Sequence, residues 1–106
     1  MATIKSYTDI EQAKKLAEIL PLESADMYYW CGEDLRIGGY RAMNIDYDIP
    51  CWSLAALLNV LPSATLDSSN DHHFRIHCME RYTEWYDNAV DACVEMIIRL
   101  NELKIL

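Results

Sequence analysis

The chain has 106 residues, the size of one domain, and such a domain buries roughly two-thirds of its unfolded surface. Hydrophobic residues make up 52% of it, with only 3 Gly and 3 Pro, which excludes a disordered tail. A formal net charge of −8 repels phosphate backbones and so argues against nucleic acid as a partner. The acidic residues are spread along the chain, a pattern that serves solubility. A sharper use of the same charge is mimicry of a polyanion at a basic site on a partner. Cysteines stand at 31, 51, 78 and 93, with no CxxC spacing for zinc or redox chemistry. Met1 to Ser6 carries no long apolar run, so the expectation is a reducing cytoplasm with free thiols.

Thr8-Asp9-Ile10-Glu11 is a capping-box pattern. Ile10, Ala13, Leu16, Ala17 and Leu20 follow at helical spacing, and Pro21 stops the helix. Met27 to Cys31 is rich in strand-favouring aromatics, Gly32-Glu33-Asp34 is a turn, and Leu35 to Met43 reads as a second strand. Gly38-Gly39 within it marks a bulge or a close backbone approach. Asn44 to Asp48 is a polar loop with Asp48 as a cap for the next element.

Ile49 to Pro62 (IPCWSLAALLNVLP) is nearly all apolar, with Pro50 suited to a first helical turn and Pro62 to a stop. It reads as a buried helix around which the domain packs, too short for a membrane span, which needs about 20 apolar residues. Ser63 to Asp71 is a loop by composition. His72 to Met79 alternates, with Phe74, Ile76 and Cys78 on one face and His73, Arg75 and His77 on the other. Glu80 to Tyr86 extends this strand or forms a further one after a turn at Glu80-Arg81. Asn88 caps the last helix, whose buried stripe is Val90, Cys93, Val94, Ile97, Leu100 and Leu103 or Lys104.

The sum is an α+β fold: three helices and an antiparallel sheet of three to four strands, in the order α-β-β-α-β-(β)-α.

Little of this carries chemistry. His72, His73, His77 and Cys78 suggest a metal or small-ligand site. On a strand, however, His73 and His77 lie about 13 Å apart, too far to share one ion. His77 and Cys78 point to opposite faces, which rules out that pair as base and nucleophile. No Gly-rich loop precedes a helix, and the paired carboxylates Glu33-Asp34 and Asp46/Asp48 fall in turns. The sequence names no catalytic residue, no metal ligand set and no cofactor, and it leans away from an enzyme.

The aromatic residues are the better lead. Tyr28, Tyr29 and Trp30 form one cluster, and Tyr82, Trp85 and Tyr86 another. A sheet face showing Tyr28, Trp30, Tyr40, Trp85 and Tyr86 to solvent would suit a protein partner or a second copy of the chain. The first expectation is therefore a protein-binding module without nucleic-acid or membrane partners. The alternative is a small-ligand or metal-binding domain built on the His72 to Cys78 strand.

Three stretches, Thr8 to Pro21 (TDIEQAKKLAEILP), Ile49 to Pro62 and Asp91 to Leu106 (DACVEMIIRLNELKIL), resemble a group of short uncharacterised proteins of gut bacteria and their mobile elements and phages. The resemblance covers roughly half the chain. It implies a cytoplasmic bacterial or phage setting and supplies no site; in that setting the protein-binding module would serve as an accessory or host-directed factor of a mobile element.

Overall fold

The computed structural model describes residues 5–106. Among these residues are three α-helices: α1 (Ile10–Ala17), α2 (Leu54–Val60) and α3 (Ala89–Glu102). Six strands accompany them: β1 (Met27–Trp30), β2 (Asp34–Ile37), β3 (Ile49–Cys51), β4 (Thr65–Ser68), β5 (Phe74–Cys78) and β6 (Arg81–Tyr82). The fold is α+β and every strand pairing is antiparallel. The strands form two three-stranded sheets, β2-β1-β3 and β4-β5-β6, rather than one.

Three local rules decide the departures from the sequence reading. Pro50 lies in β3, opposite Tyr28, and not in a first helical turn. Its missing N–H faces away from β1, which is where a strand tolerates proline. Ser53 rather than Asp48 caps α2, its Oγ accepting from the Ala56 N–H at 3.2 Å. Asp26 holds that cap, accepting from the Ser53 N–H at 2.9 Å and the Ser53 Oγ at 2.5 Å.

At α1 the capping box starts one residue later than expected. Asp9 accepts from the Gln12 N–H, and Gln12 reaches back to the Asp9 N–H. Thr8 is buried instead, and its Oγ1 accepts from the Trp52 N–H. Strand β2 ends at Ile37 because Gly38 takes φ +152°. A Cβ there would sit 3.1 Å from Ala42 Cβ and 3.3 Å from Tyr28 Cε1, so the close approach expected at the glycines is at a strand end. Met79 and Glu80 both have positive φ and form the two-residue turn between paired Cys78 and Arg81. The turn thus precedes the predicted Glu80-Arg81, and β6 is a separate strand.

The core is organised around α3, not around the Ile49–Pro62 stretch. Val90, Cys93, Met96, Ile97 and Leu100 of α3 are all fully buried. They pack with Ile76 and Cys78 from β5, Leu57 from α2, Leu16 from α1, and Trp52. Helix α2 buries only Leu57 completely; Leu54, Ala56, Leu58 and Val60 are half-buried against the same core. A smaller cluster lies between α1 and the first sheet, where Ala13 meets Tyr29 and Cys51. Its polar atoms are matched, the Tyr29 hydroxyl donating to Thr8 O at 2.6 Å.

Asp91 ties the start of the described chain to α3. It accepts from Lys5 Nζ at 2.8 Å, Gln12 Nε2 at 2.7 Å and Asn88 Nδ2 at 2.9 Å. Burial raises its pKa, but these three donors prevail and hold it below the usual carboxylate value. Burial likewise lowers Lys5, and the bonds to Asp91 and Asp9 prevail to raise it. The Asp91 contribution is therefore complete above the unfolded carboxylate pKa of about 3.9 and fades as pH falls through the lower folded value. That of Lys5 is complete below about 10.4 and fades as pH rises through its raised folded value. Asp91→Ala is expected to cost about 1–2 kcal/mol at pH 7. Urea unfolding at pH 7 and pH 2 checks this: the gap between the wild type and the variant should be smaller at pH 2 than at pH 7. An equal gap at both pH values would refute it.

Candidate functional site

The five aromatic residues singled out from the sequence do not share one sheet face. Tyr28 and Trp30 belong to β1, Tyr40 to a short 3-10 turn after β2, and Trp85 and Tyr86 to the segment after β6. Tyr28 is half-buried beneath Gly38. Trp30 is exposed, with the Arg36 guanidinium 4.9 Å over its ring. Tyr40 is exposed. Tyr86 pairs through its backbone with Phe74 and packs its ring against the main core, and burial pushes its hydroxyl pKa up.

Trp85 is the member that sits in a built arrangement. Alternation along β5 turns Ile76 and Cys78 inward and leaves Arg75 and His77 on the outer face of the second sheet. Tyr82 is directly across from His77 in register, and the two rings stack at 4.3 Å with an interplanar angle of 10°. The Arg75 guanidinium lies 4.3 Å from the Tyr82 ring and 4.5 Å from the Trp85 ring. Its Nε donates to Asp67 Oδ2 at 3.2 Å, from the facing position on β4. The result is a continuous ladder, Trp85–Arg75–Tyr82–His77, joined by cation–π contacts and ring stacking. Tyr82 and Trp85 remain 49% and 45% exposed, so each still offers a substantial part of its surface outward.

Arg75, Tyr82 and His77 are the members of this ladder outside those five, and of these His77 belonged to the alternative histidine-strand reading. The signal for Arg75 was its place on the polar face of an alternating strand. Tyr82 needed the position of the Met79-Glu80 turn, because a one-residue shift sends it to the other face.

The histidine strand divides. His72 has φ +60° and precedes β5, and His73 Nε2 lies 3.4 Å from Asp87 Oδ1. His77 is engaged in the ladder, while Cys78 is buried and donates its Sγ proton to Pro62 O. Among the described residues no three His, Cys, Asp or Glu side chains are grouped to hold a metal ion. Asp48 is buried, with both carboxylate oxygens committed to backbone amides, so it is a structural group. An apolar groove of about 280 Å³ runs beside it, lined chiefly by Leu22, Met43, Ile45, Ile49 and Pro50, with Lys14 at the rim. Its volume is at the lower end for a small-molecule site.

Three cysteines are buried and Cys31 is exposed at the β1–β2 turn; all four thiols are free. Burial raises the pKa of Cys51 and Cys78, and that of Cys93 to about 12, which disfavours the reactive thiolate. No helix among the described residues is long and apolar enough to cross a membrane. Comparison with known proteins finds no matching family model, no matching curated protein and no matching solved structure.

Proposed function

We propose that this chain is a protein-binding module whose contact surface is the outer face of the sheet β4-β5-β6. The observation that carries the reading is the Trp85–Arg75–Tyr82–His77 ladder. Trp, Tyr and Arg are the residues most enriched where binding energy concentrates. Stacking holds these side chains in place before any encounter, which reduces the rotamer entropy lost on binding. The proposed mechanism is occlusion or tethering of a partner by a rigid aromatic face on an acidic body. The net charge of −8 supports a protein rather than a nucleic-acid partner.

The proposed setting is the cytoplasm of a gut bacterium or of a phage-infected host, as an accessory or host-directed factor. Four free thiols fit a reducing compartment. The resemblance of three segments to short proteins of gut bacteria, mobile elements and phages supports the same setting. Of these segments, Ile49 to Pro62 comprises β3 and α2 with the residues that flank them, rather than a single helix.

A photo-reactive amino acid placed at Tyr82, with a control at exposed Glu102, tests the surface in the cells that make the protein. A discrete adduct of defined mass at position 82 and none at position 102 is the expected result. Loss of that adduct on Trp85→Ala ties it to the ladder. Equal labelling from both positions, or none from either, would overturn the reading.

A further inference from the structure

Beyond the ladder face, we infer that two copies of this chain join edge to edge through β2, forming one continuous six-stranded sheet. Strand β2 is the free edge of the first sheet, paired only with β1 among the described residues. The Gly38 N–H donates to Asp26 O at 3.1 Å, which sets the alternation along β2. Arg36 and Asp34 therefore direct their backbone groups to β1, while the N–H and C=O of Leu35 and Ile37 point outward. The position of Pro50 opposite Tyr28 agrees, because that residue pair cannot use the proline nitrogen as a donor. An edge of outward amides and carbonyls is a template for another strand. Ile37 stands on it at 88% exposure, the highest value among the exposed large apolar side chains.

The side chains specify the occupant as a second copy. In an antiparallel pairing about a two-fold axis at Leu35, each Leu35 faces its counterpart and exchanges two backbone hydrogen bonds with it. Each Asp34 then faces the other copy's Arg36, giving two opposite-charge pairs on one sheet face. On the other face Ile37 lies opposite the other copy's Glu33 and diagonal to its Leu35, so the pairing covers part of its exposed surface. The neighbouring register sets Arg36 against Arg36 and is disfavoured by like charge. The free edge of β4 lacks this complementarity. Pairing it with itself sets Asp67 opposite Thr65, or Asp67 opposite Asp67 in the next register. The self-complementary Asp34-Leu35-Arg36 pattern thus marks the β2 edge and has no counterpart on β4.

Charge reversal tests the register. Sedimentation equilibrium of the full chain, up to about 0.5 mM to cover the weak range of small interfaces, is expected to show a reversible dimer. Asp34→Arg alone and Arg36→Asp alone should each weaken it roughly tenfold or more, since each places like charges opposite one another twice. The double variant restores both pairs in exchanged form and should recover the wild-type constant to within about threefold. Both positions are exposed, and far-UV circular dichroism verifies that each variant is folded. Should a single variant fail to fold, hydrogen exchange on the wild type decides: the Leu35 and Ile37 amides should gain protection as concentration rises. A monomer across the whole range, a dimer indifferent to single reversal, or a double variant that fails to recover would overturn the inference.

Discussion

Trp52→Ala should lower the unfolding free energy by about 3–5 kcal/mol, the range for truncating a fully buried large aromatic. Trp52 is wholly inaccessible and lies where β3 gives way to the cap of α2. Its ring fills the main core together with Leu16, Leu57 and Ile97. Its Nε1 donates to Ser24 Oγ at 2.9 Å, and its backbone exchanges bonds with Thr8. Truncation leaves a cavity between helices that cannot all close on it. Domains of this size have about 5–15 kcal/mol in total, so the variant should be close to its unfolding midpoint in mild urea. Trp52→Phe retains most of the apolar area and should cost about 1–3 kcal/mol, consistent with a lost hydrogen bond and a smaller void. Urea titration followed by circular dichroism separates the two, with the slope unchanged in both. A shift below about 1 kcal/mol for alanine would show that the core collapses around the site and that Trp52 is not a keystone.

Asp48→Ala should cost about 2–4 kcal/mol by a different route, the stranding of two backbone donors. Asp48 Oδ1 accepts from the Cys31 N–H and Oδ2 from the Asn44 N–H, both at 2.8 Å. Cys31 has φ +52°, a conformation that a non-glycine residue adopts only when its surroundings hold it there. One carboxylate therefore fixes the β1–β2 turn to the loop that leads into β3. Asp48→Asn keeps one acceptor oxygen and should lose about half as much. Native-state hydrogen exchange provides the specific readout. The Cys31 and Asn44 amides should lose protection more than those of α3. Uniform loss across the molecule would mean that Asp48 contributes only to global stability.

The parts of the fold legible in the sequence are those where one periodicity was decisive. Asn88 caps α3 as expected and the stripe is buried from Val90 to Leu100, but its expected last member, Leu103 or Lys104, is exposed because the helix ends at Glu102. The alternation of Phe74, Ile76 and Cys78 correctly placed β5. The Ile49–Pro62 stretch misled because apolar content without alternation fits a buried strand and a buried helix equally well. Pro50 then tipped the reading toward helix, although an edge-strand position satisfies its missing donor just as completely. Thr65-Leu66-Asp67-Ser68 is polar and reads as loop, and only pairing with β5 makes it the strand β4. The aromatic clusters were visible, but which members meet was not. Arg75, Tyr82 and Trp85 converge through a turn whose two residues, Met79 and Glu80, carry no glycine or asparagine to announce it.

The anchoring of Lys5 and Gln12 on Asp91 also bears on synthesis. These contacts join residues 86 and 79 positions apart. A ribosome must therefore release residue 91 before α1 can reach its seat on α3. Until then the apolar faces of α1, β5 and α2 have no α3 to cover them. Chains that wait on such distant partners fold slowly and expose sticky surface meanwhile. The acidic character of the chain has a use in that interval, because mutual repulsion keeps unfinished copies apart.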